Sequence, residues 1–400
     1  MSITIQITQN VIDALSGETI ITPEKIVSLS GQIYDENSDY IFEIKENITI
    51  PTGKTLKGFD NIVVNPTTGY VIIKNGGTIE DCIITLNTND AGKRGIISNG
   101  YIDGDNNFEG NIKNCRITLF GNSRIDNGNG GIGNITGGSI ILNNKSKIYN
   151  GFNVESNINS CIIVLNGGSE FYNGGTDIGN ITGGSITLNN ESKIYNGYYY
   201  EGNINDGSII LNDSSKFYNG YVYEGNINGG SIILNDSSKI YNGCYDKVHE
   251  DGVECIINKC TITLNDGSLI ICNGYYSYCE ISNSYIFLHD EAILQNFYDN
   301  RGIVGYGIVG YGSLKDNRIY AYDSCKILNR YNGESGIFDS IVLKFSDDCL
   351  IDKTIKIENI KTNDKVSNKV SNKDDTLSKL LLLSYLTQKD NSSVLQNLIK

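Results

Sequence analysis

Six leucines, Leu119, Leu142, Leu165, Leu188, Leu211 and Leu234, follow one another at intervals of 23 residues. A fixed period of this length is the mark of a chain that stacks one structural unit on the next, because a single unit cannot bury its own apolar face. The unit is cleanest in "GNINGGSIILNDSSKIYNG", Gly225 to Gly243. The spacing loosens to 30 residues at Leu264 and 24 at Leu288, and upstream Leu86 precedes Leu119 by 33, with an inserted stretch between them.

Within the unit the apolar residues alternate. Cys115, Ile117 and Leu119, or Gly230, Ile232 and Leu234, share one side, with Ser, Thr or a second branched residue between them. That is the two-residue period of a strand with one buried face. A second strand, "SKIYN", buries Ile148, Phe171, Ile194, Phe217 and Ile240, and a third, "GNI", buries Ile135, Ile158, Ile181, Ile204 and Ile227. Asn and Gly between them supply tight turns. Three inward stripes per coil form one core only when coils stack with parallel strands about 4.8 Å apart. About 13 coils over roughly 300 residues give a stack of about 60 Å. Two asparagine columns fall in register, Asn143, Asn166, Asn189, Asn212 and Asn235, and Asn150, Asn173, Asn196, Asn219 and Asn242. These are expected to hydrogen-bond rung to rung as amide ladders and to tolerate the left-handed backbone of a turn.

Coil length, three-strand pattern and asparagine columns together resemble the right-handed parallel β-helices of the pectate-lyase-like kind. The resemblance covers roughly residues 45–345, implies the architecture and the right-handed winding, and extends to no catalytic motif. The expected fold is all-β, a right-handed parallel β-helix of about 23 residues per coil with a small helical C-terminal element. Residues 1–45 are expected to form an N-terminal cap with a short helix opening at Thr22, Pro23 and Glu24. Residues 46–358 form the β-helix, 359–375 a polar linker, and 376–400 a helical cap or docking element.

Composition limits the function. The net charge of −14 argues against a general nucleic-acid binder, which needs clustered cations. No apolar run is long enough to span a membrane, and the N-terminus lacks the features of a secretory signal. Ten cysteines without zinc-type CxxC spacing do not make a disulfide or metal framework. Cys82, Cys115, Cys161 and Cys260 each stand four residues before a repeat leucine, where other coils carry Gly138, Gly184, Gly207 or Gly230. They are expected as free, buried thiols filling a column of small residues, which favours a virion or cytoplasmic location over an extracellular surface.

For chemistry, Asp213, Asp236 and Asp266, and Glu155, Glu201 and Glu224, recur with the repeat and read as turn acids, not as an interrupting catalytic pair. Stacked carboxylates of this kind could instead hold calcium. Lys193, Lys216 and Lys239 form an outward column beside Tyr195, Tyr218 and Tyr241. His249 and His289 have no flanking motif, and a Cys–His pair at Cys255 or Cys279 is a minor reading. The expectation is therefore no catalytic residue, no metal and no cofactor. The tyrosines form the candidate contact surface for a protein or carbohydrate partner: Tyr195, Tyr198, Tyr199, Tyr200, Tyr218, Tyr221, Tyr223, Tyr241, Tyr275 and Tyr276. The expected function is a non-enzymatic structural or adhesive solenoid of a virion, fibre or surface apparatus. The alternatives are a carbohydrate-active β-helix enzyme and an intracellular repeat scaffold. Homo-oligomers or larger assemblies through the C-terminal segment are a further expectation.

Overall fold

In a computed structural model the chain divides into two compact units, Met1–Ile360 and Lys361–Lys400. The structure describes residues 2–359 apart from 68, 88–91, 244–252, 274–276, 298–310, 332–333, 336, 354 and 356. The helices expected over 376–400, most of the linker, and Tyr275 and Tyr276 lie outside the described residues.

Met1–Ile360 is a parallel β-solenoid of about 12 turns. Each regular coil has three four-residue strands, for example Gly179–Thr182, Ser185–Leu188 and Lys193–Asn196. We refer to these as the GNI, Leu and Tyr strands. Each pairs in parallel and in register with its equivalents one coil away: Leu188 aligns with Leu165 and Leu211, and Tyr195 with Tyr172 and Tyr218. The GNI and Leu strands form two ladders that join into one 26-stranded sheet through the long strand Tyr311–Ala321, which pairs with a strand of each, and the Tyr strands form a separate 14-stranded sheet. Where the 23-residue spacing breaks, register survives, since Leu86 aligns with Leu119, Leu234 with Leu264 and Leu264 with Leu288. Extra residues are therefore placed in corners, because a slip within a strand would turn its isoleucines out to water. The stripes Ile181, Ile186, Leu188 and Ile194 and their copies above and below are 0–2% exposed and form one continuous core.

The N-terminal segment both caps and extends the stack. Ile3–Gln6 pairs with Tyr40–Ile44, and Ile20–Ile21 with Thr55–Lys57, so coils begin before residue 46. Two helices lie between these strands, Gln9–Ala14 and Pro23–Leu29. Thr8 caps the first with its hydroxyl, which accepts from the Val11 N–H at 3.3 Å. Thr22 occupies the second N-cap without a side-chain bond, so that helix start rests on Pro23 and Glu24. Ile12, Ile26 and Val27 are buried and join the core.

The two asparagine columns are hydrogen-bonded ladders. The Tyr-strand column is fully buried from Asn75 to Asn242. Asn150 Nδ2 donates to Asn173 Oδ1 at 2.8 Å, Asn173 to Asn196 at 2.7 Å, Asn196 to Asn219 at 2.8 Å and Asn219 to Asn242 at 2.8 Å. The same Nδ2 groups reach GNI-strand carbonyls, as from Asn150 to Asn180 at 3.1 Å, which ties the Tyr strand of one coil to the GNI strand two coils further along the chain. The Asn143 to Asn235 column is half-buried, and its amides donate in the opposite axial direction: Asn189 to Asn166, Asn212 to Asn189 and Asn235 to Asn212, each at 2.9 Å.

One expectation for these asparagines is corrected. The ladder residues lie in or directly after strands and do not hold the left-handed turn. Positive φ falls on the next two residues, Asn190 and Glu191, Asp213 and Ser214, or Asp236 and Ser237. Asn, Asp and Gly exchange at the first of these positions because they tolerate that backbone.

The ladders differ in burial, which sets what their loss costs. Replacing Asn196 by Leu leaves buried amide groups on Asn173 and Asn219 without partners, so it should lower stability by about 3 kcal/mol. Asn212→Leu on the half-buried ladder should cost under about 1 kcal/mol. Urea unfolding followed by circular dichroism measures both, and equal losses would mean the two ladders carry equal weight.

Candidate functional site

Every regular Tyr strand places its tyrosine on the outer face, one residue before the buried asparagine. In-register stacking then puts each ring above the last. Tyr149, Tyr172, Tyr195, Tyr218 and Tyr241 form one stack with centroid distances of 4.7, 4.9, 5.1 and 5.0 Å and interplanar angles of 10° or less. A second row comes from the loop after each Tyr strand. Tyr198 packs edge-on to Tyr172 at 4.5 Å, and Tyr221 edge-on to Tyr195 at 4.9 Å. Tyr199 meets Tyr198 at 4.3 Å, and Tyr200 stacks on Tyr223 at 5.6 Å.

The structure thus brings Tyr195, Tyr198, Tyr199, Tyr200, Tyr218, Tyr221, Tyr223 and Tyr241 into one continuous surface. Their exposure differs from a solvent-facing column. Tyr195 and Tyr218 are half-buried, Tyr172 is buried, and only Tyr199 and Tyr200, at 48% and 50%, are well exposed. Ring faces in the main stack are covered by the next tyrosine, so that row offers water its edges and hydroxyls. Sugar rings that stack on an aromatic face would find it occupied, whereas Tyr199 and Tyr200 are open to contact.

Charge beside the stack is arranged to relieve like-charge repulsion. Glu170 takes the place of a lysine between Lys147, at 2.8 Å, and Lys193, at 3.9 Å, and accepts a hydrogen bond from the Tyr172 hydroxyl at 2.6 Å. Burial pushes the Glu170 carboxyl up, but Lys147, Tyr172 and Lys193 together hold it below the usual range. Burial, then the Glu170 charge, push the Tyr195 hydroxyl up, so it stays protonated throughout the neutral range.

The stack ends on a residue that sequence reading passed over. Asp126 aligns with Tyr149, in a strand reading Arg-Ile-Asp-Asn where the next five coils carry Tyr-Asn at the last two positions, as in Lys-Ile-Tyr-Asn. It is fully buried. Arg124 approaches it at 2.9 Å, yet neither carboxylate oxygen has a partner in hydrogen-bond geometry. Burial raises its pKa to about 6, with Arg124 working in the opposite direction. The only signal in the sequence is this acid at a tyrosine position.

A second aromatic stack, also unread in the sequence, covers the later Leu strands and the corner after them. Phe287 lies on Tyr320 at 4.8 Å, His289 on Tyr322 at 4.6 Å and Tyr322 on Phe345 at 4.7 Å. Burial lowers the His289 pKa, opposed by Asp323 at 3.7 Å.

The acidic columns are turn and corner residues. Asp213, Asp236 and Asp266 hold φ near 52° in the left-handed turn. Glu155 and Glu201 accept from Asn180 and Asn203 at 3.1 Å. Those asparagines belong to a third ladder, Asn111 to Asn226, legible in the recurring "GNI" but missed there. Burial raises the Glu224 pKa, followed by the charges of Glu201 and Glu254.

Cys82, Cys115, Cys161 and Cys260 are buried free thiols, as their column requires. Cys255 and Cys279 are also fully buried, and neither is disulfide-bonded. Cys325 and Cys349, which stand outside that column, form a disulfide. They continue the small inward column of Ser192, Ser215, Ser238, Ser268 and Ala292. In-register stacking sets their Cα atoms 4.8 Å apart on neighbouring coils.

Among the described residues no group of three or more His, Cys, Asp or Glu side chains is placed to hold a metal ion, and no helix is long and apolar enough to cross a membrane. Comparison of the chain with protein-family models, with curated proteins and with solved structures gives no match.

Two outcomes follow from this surface. Tyr195→Ser removes two stacking contacts and an edge contact at about 0.5–1.5 kcal/mol each. It should therefore cost about 2 kcal/mol, while Tyr199→Ser stays within about 0.5 kcal/mol; urea unfolding separates them. For Asp126 the folded pKa of about 6 lies above its ordinary value of 3.8. The folded state therefore holds the proton more tightly, and this group's contribution to stability falls as pH rises from about 4 through 6. Asp126→Asn should remove that fall and raise stability at pH 7.5 by up to about 3 kcal/mol. Melting curves of both proteins between pH 4 and 7.5 test the sign.

Proposed function

We propose that this protein is a non-enzymatic structural or adhesive β-solenoid, a stiff component of a virion, fibre or surface-contact apparatus. The observation that carries this reading is the commitment of polar and aromatic side chains, buried and outward alike, to their own copies. Three amide ladders and the tyrosine stack run through the same coils, from about Asn111 to Asn242, and each links a residue to its equivalent one coil away. Such cohesion stiffens a uniform rod and presents a repeated surface in place of a single pocket. On this reading Tyr199 and Tyr200 are the contact points for a protein or carbohydrate partner, and the C-terminal segment joins copies or a larger assembly. The location would be a virion or cytoplasm, with an extracellular surface as the alternative.

One observation favours a carbohydrate-active enzyme instead: the raised Glu224 carboxyl between Glu201 and Glu254 resembles a tuned acid among carboxylates. A panel of acidic and neutral polysaccharides, assayed for new reducing ends and unsaturated products, decides between the two. The structural reading expects no turnover. Sustained turnover by the wild type that Glu224→Gln abolishes would replace it with the enzymatic one.

A further inference from the structure

Charge is distributed unevenly around the coil. Residues 133–143, 156–166, 179–189, 202–212 and 225–235 make up the GNI strand, the next corner, the Leu strand and the following asparagine on five successive coils. In a chain where 20% of residues are charged, these five segments contain one charged residue, Asp206. The Tyr-strand face of the same coils carries Lys147, Glu170, Lys193, Lys216 and Lys239. Beyond the five coils, charge returns at Arg116 on one side and Lys259 on the other.

Outward Leu-strand side chains on this face are branched or hydroxylated. One row is Ile141, Val164, Thr187, Ile210 and Ile233, each half-buried. Beside it run Ser139, Ile162, Ser185, Ser208 and Ser231, with Ile162 53% exposed. The corner joining the GNI and Leu strands is two residues long, as at Gly183 and Gly184, so no loop stands above the sheet there.

We propose that this uncharged face is a homodimer interface, on which a second copy of the chain packs sheet to sheet. Three features favour a second copy over other occupants. Two chains of net charge −14 repel, and this is the face on which they approach with least cost. Its ridges repeat at the strand spacing of about 4.8 Å, a period that a second copy shares rung for rung, so rows of Ile and Val can interdigitate as in packed sheets. The footprint fits a reversible contact: five coils give about 24 Å along the axis and the Leu strand with its two corners about 20 Å across. That is roughly 500 Å² per copy, the size of a weak, reversible interface and below the ~800 Å² per partner of a permanent one. A two-fold arrangement then matches the face to itself.

Sedimentation velocity on the full chain over a hundredfold concentration range should show a monomer–dimer equilibrium that strengthens with salt, because screening weakens the repulsion of the remaining charge. Ile210→Lys and Ile162→Lys should each weaken the dimer at least about a hundredfold by placing an unpaired charge in the contact. The second sits at a position already half exposed, so its circular dichroism and melting temperature should match the wild type. Mixing Ile210→Lys with Ile210→Glu should restore mixed dimers. Tyr199→Lys, on the tyrosine surface, should leave association unchanged. A wild type that stays monomeric at every concentration overturns the proposal, and so does a dimer that survives both lysine variants, which would place the contact elsewhere.

Discussion

The backbone hydrogen bond between coils governs this molecule. Each strand finds its partner not beside it in sequence but one coil away, at about 4.8 Å and in register. Every side chain therefore has its own equivalent as its nearest axial neighbour, and a residue type persists in a column only if it tolerates its own copy. Isoleucine and leucine do so by packing, asparagine by donating an amide to the next amide, and tyrosine by ring stacking. Lysine repels its copy: Glu170 separates Lys147 from Lys193, whereas Lys193, Lys216 and Lys239 follow one another directly on successive rungs of the outer face.

The same rule explains substitutions that look unrelated along the sequence. In regular coils the buried asparagine sits against a glycine six residues later: a Cβ on Gly225 would lie 2.6 Å from Asn219 Oδ1. Toward the C-terminus the glycine position changes first, to Cys255 in the strand after Asn242, and one coil later both members have changed. Cys272 takes the asparagine position and Cys279 the glycine position, and their sulfurs lie 3.0 Å apart. A thiol fills the space of the amide, and the small partner is no longer required. Cys325 and Cys349 arise in the same way in the serine column, where two successive rungs became cysteine.

Much of this could be read before the structure, and the part that could not has a common cause. The Leu spacing and the alternation of Cys115, Ile117 and Leu119 reveal coil length, strand positions and inward faces, because burial imposes period two. Spacing also places Asn150 above Asn127 or Tyr218 above Tyr195. It does not reveal how a side chain is directed, so the opposed polarity of the two ladders and the covered faces of the tyrosines were not legible. Asp126 was hidden for a related reason. Its column is defined by later coils, and an acid at a tyrosine position carries no mark of burial until the neighbouring loop and Arg124 are placed around it. Tyr199 and Tyr200 stand out as contact residues only after their neighbours are seen to be covered.

A buried amide ladder must also end, and its ends follow the logic of helix caps. At the N-terminal end Asn75 has no earlier amide to accept from, and its Oδ1 accepts the Gly77 N–H at 3.3 Å instead. At the other end Asn242 has no amide above it, because the next rung is Cys272. Its Nδ2 keeps the GNI-strand carbonyl bond that every rung makes, here to Glu280 at 3.0 Å, and donates to the Cys272 sulfur at 3.9 Å where the next amide would stand. That change coincides with the step where the spacing lengthens from 23 to 30 residues, the seven extra residues falling between Asn242 and Cys255. A shorter ladder resumes beyond it, with Asn296 donating to Asn329 at 2.9 Å. Regular period and unbroken ladder thus stop at the same coil. An amide left inside the stack without the next rung would have a buried N–H with no acceptor, and here the Cys272 sulfur takes the place of the missing asparagine oxygen.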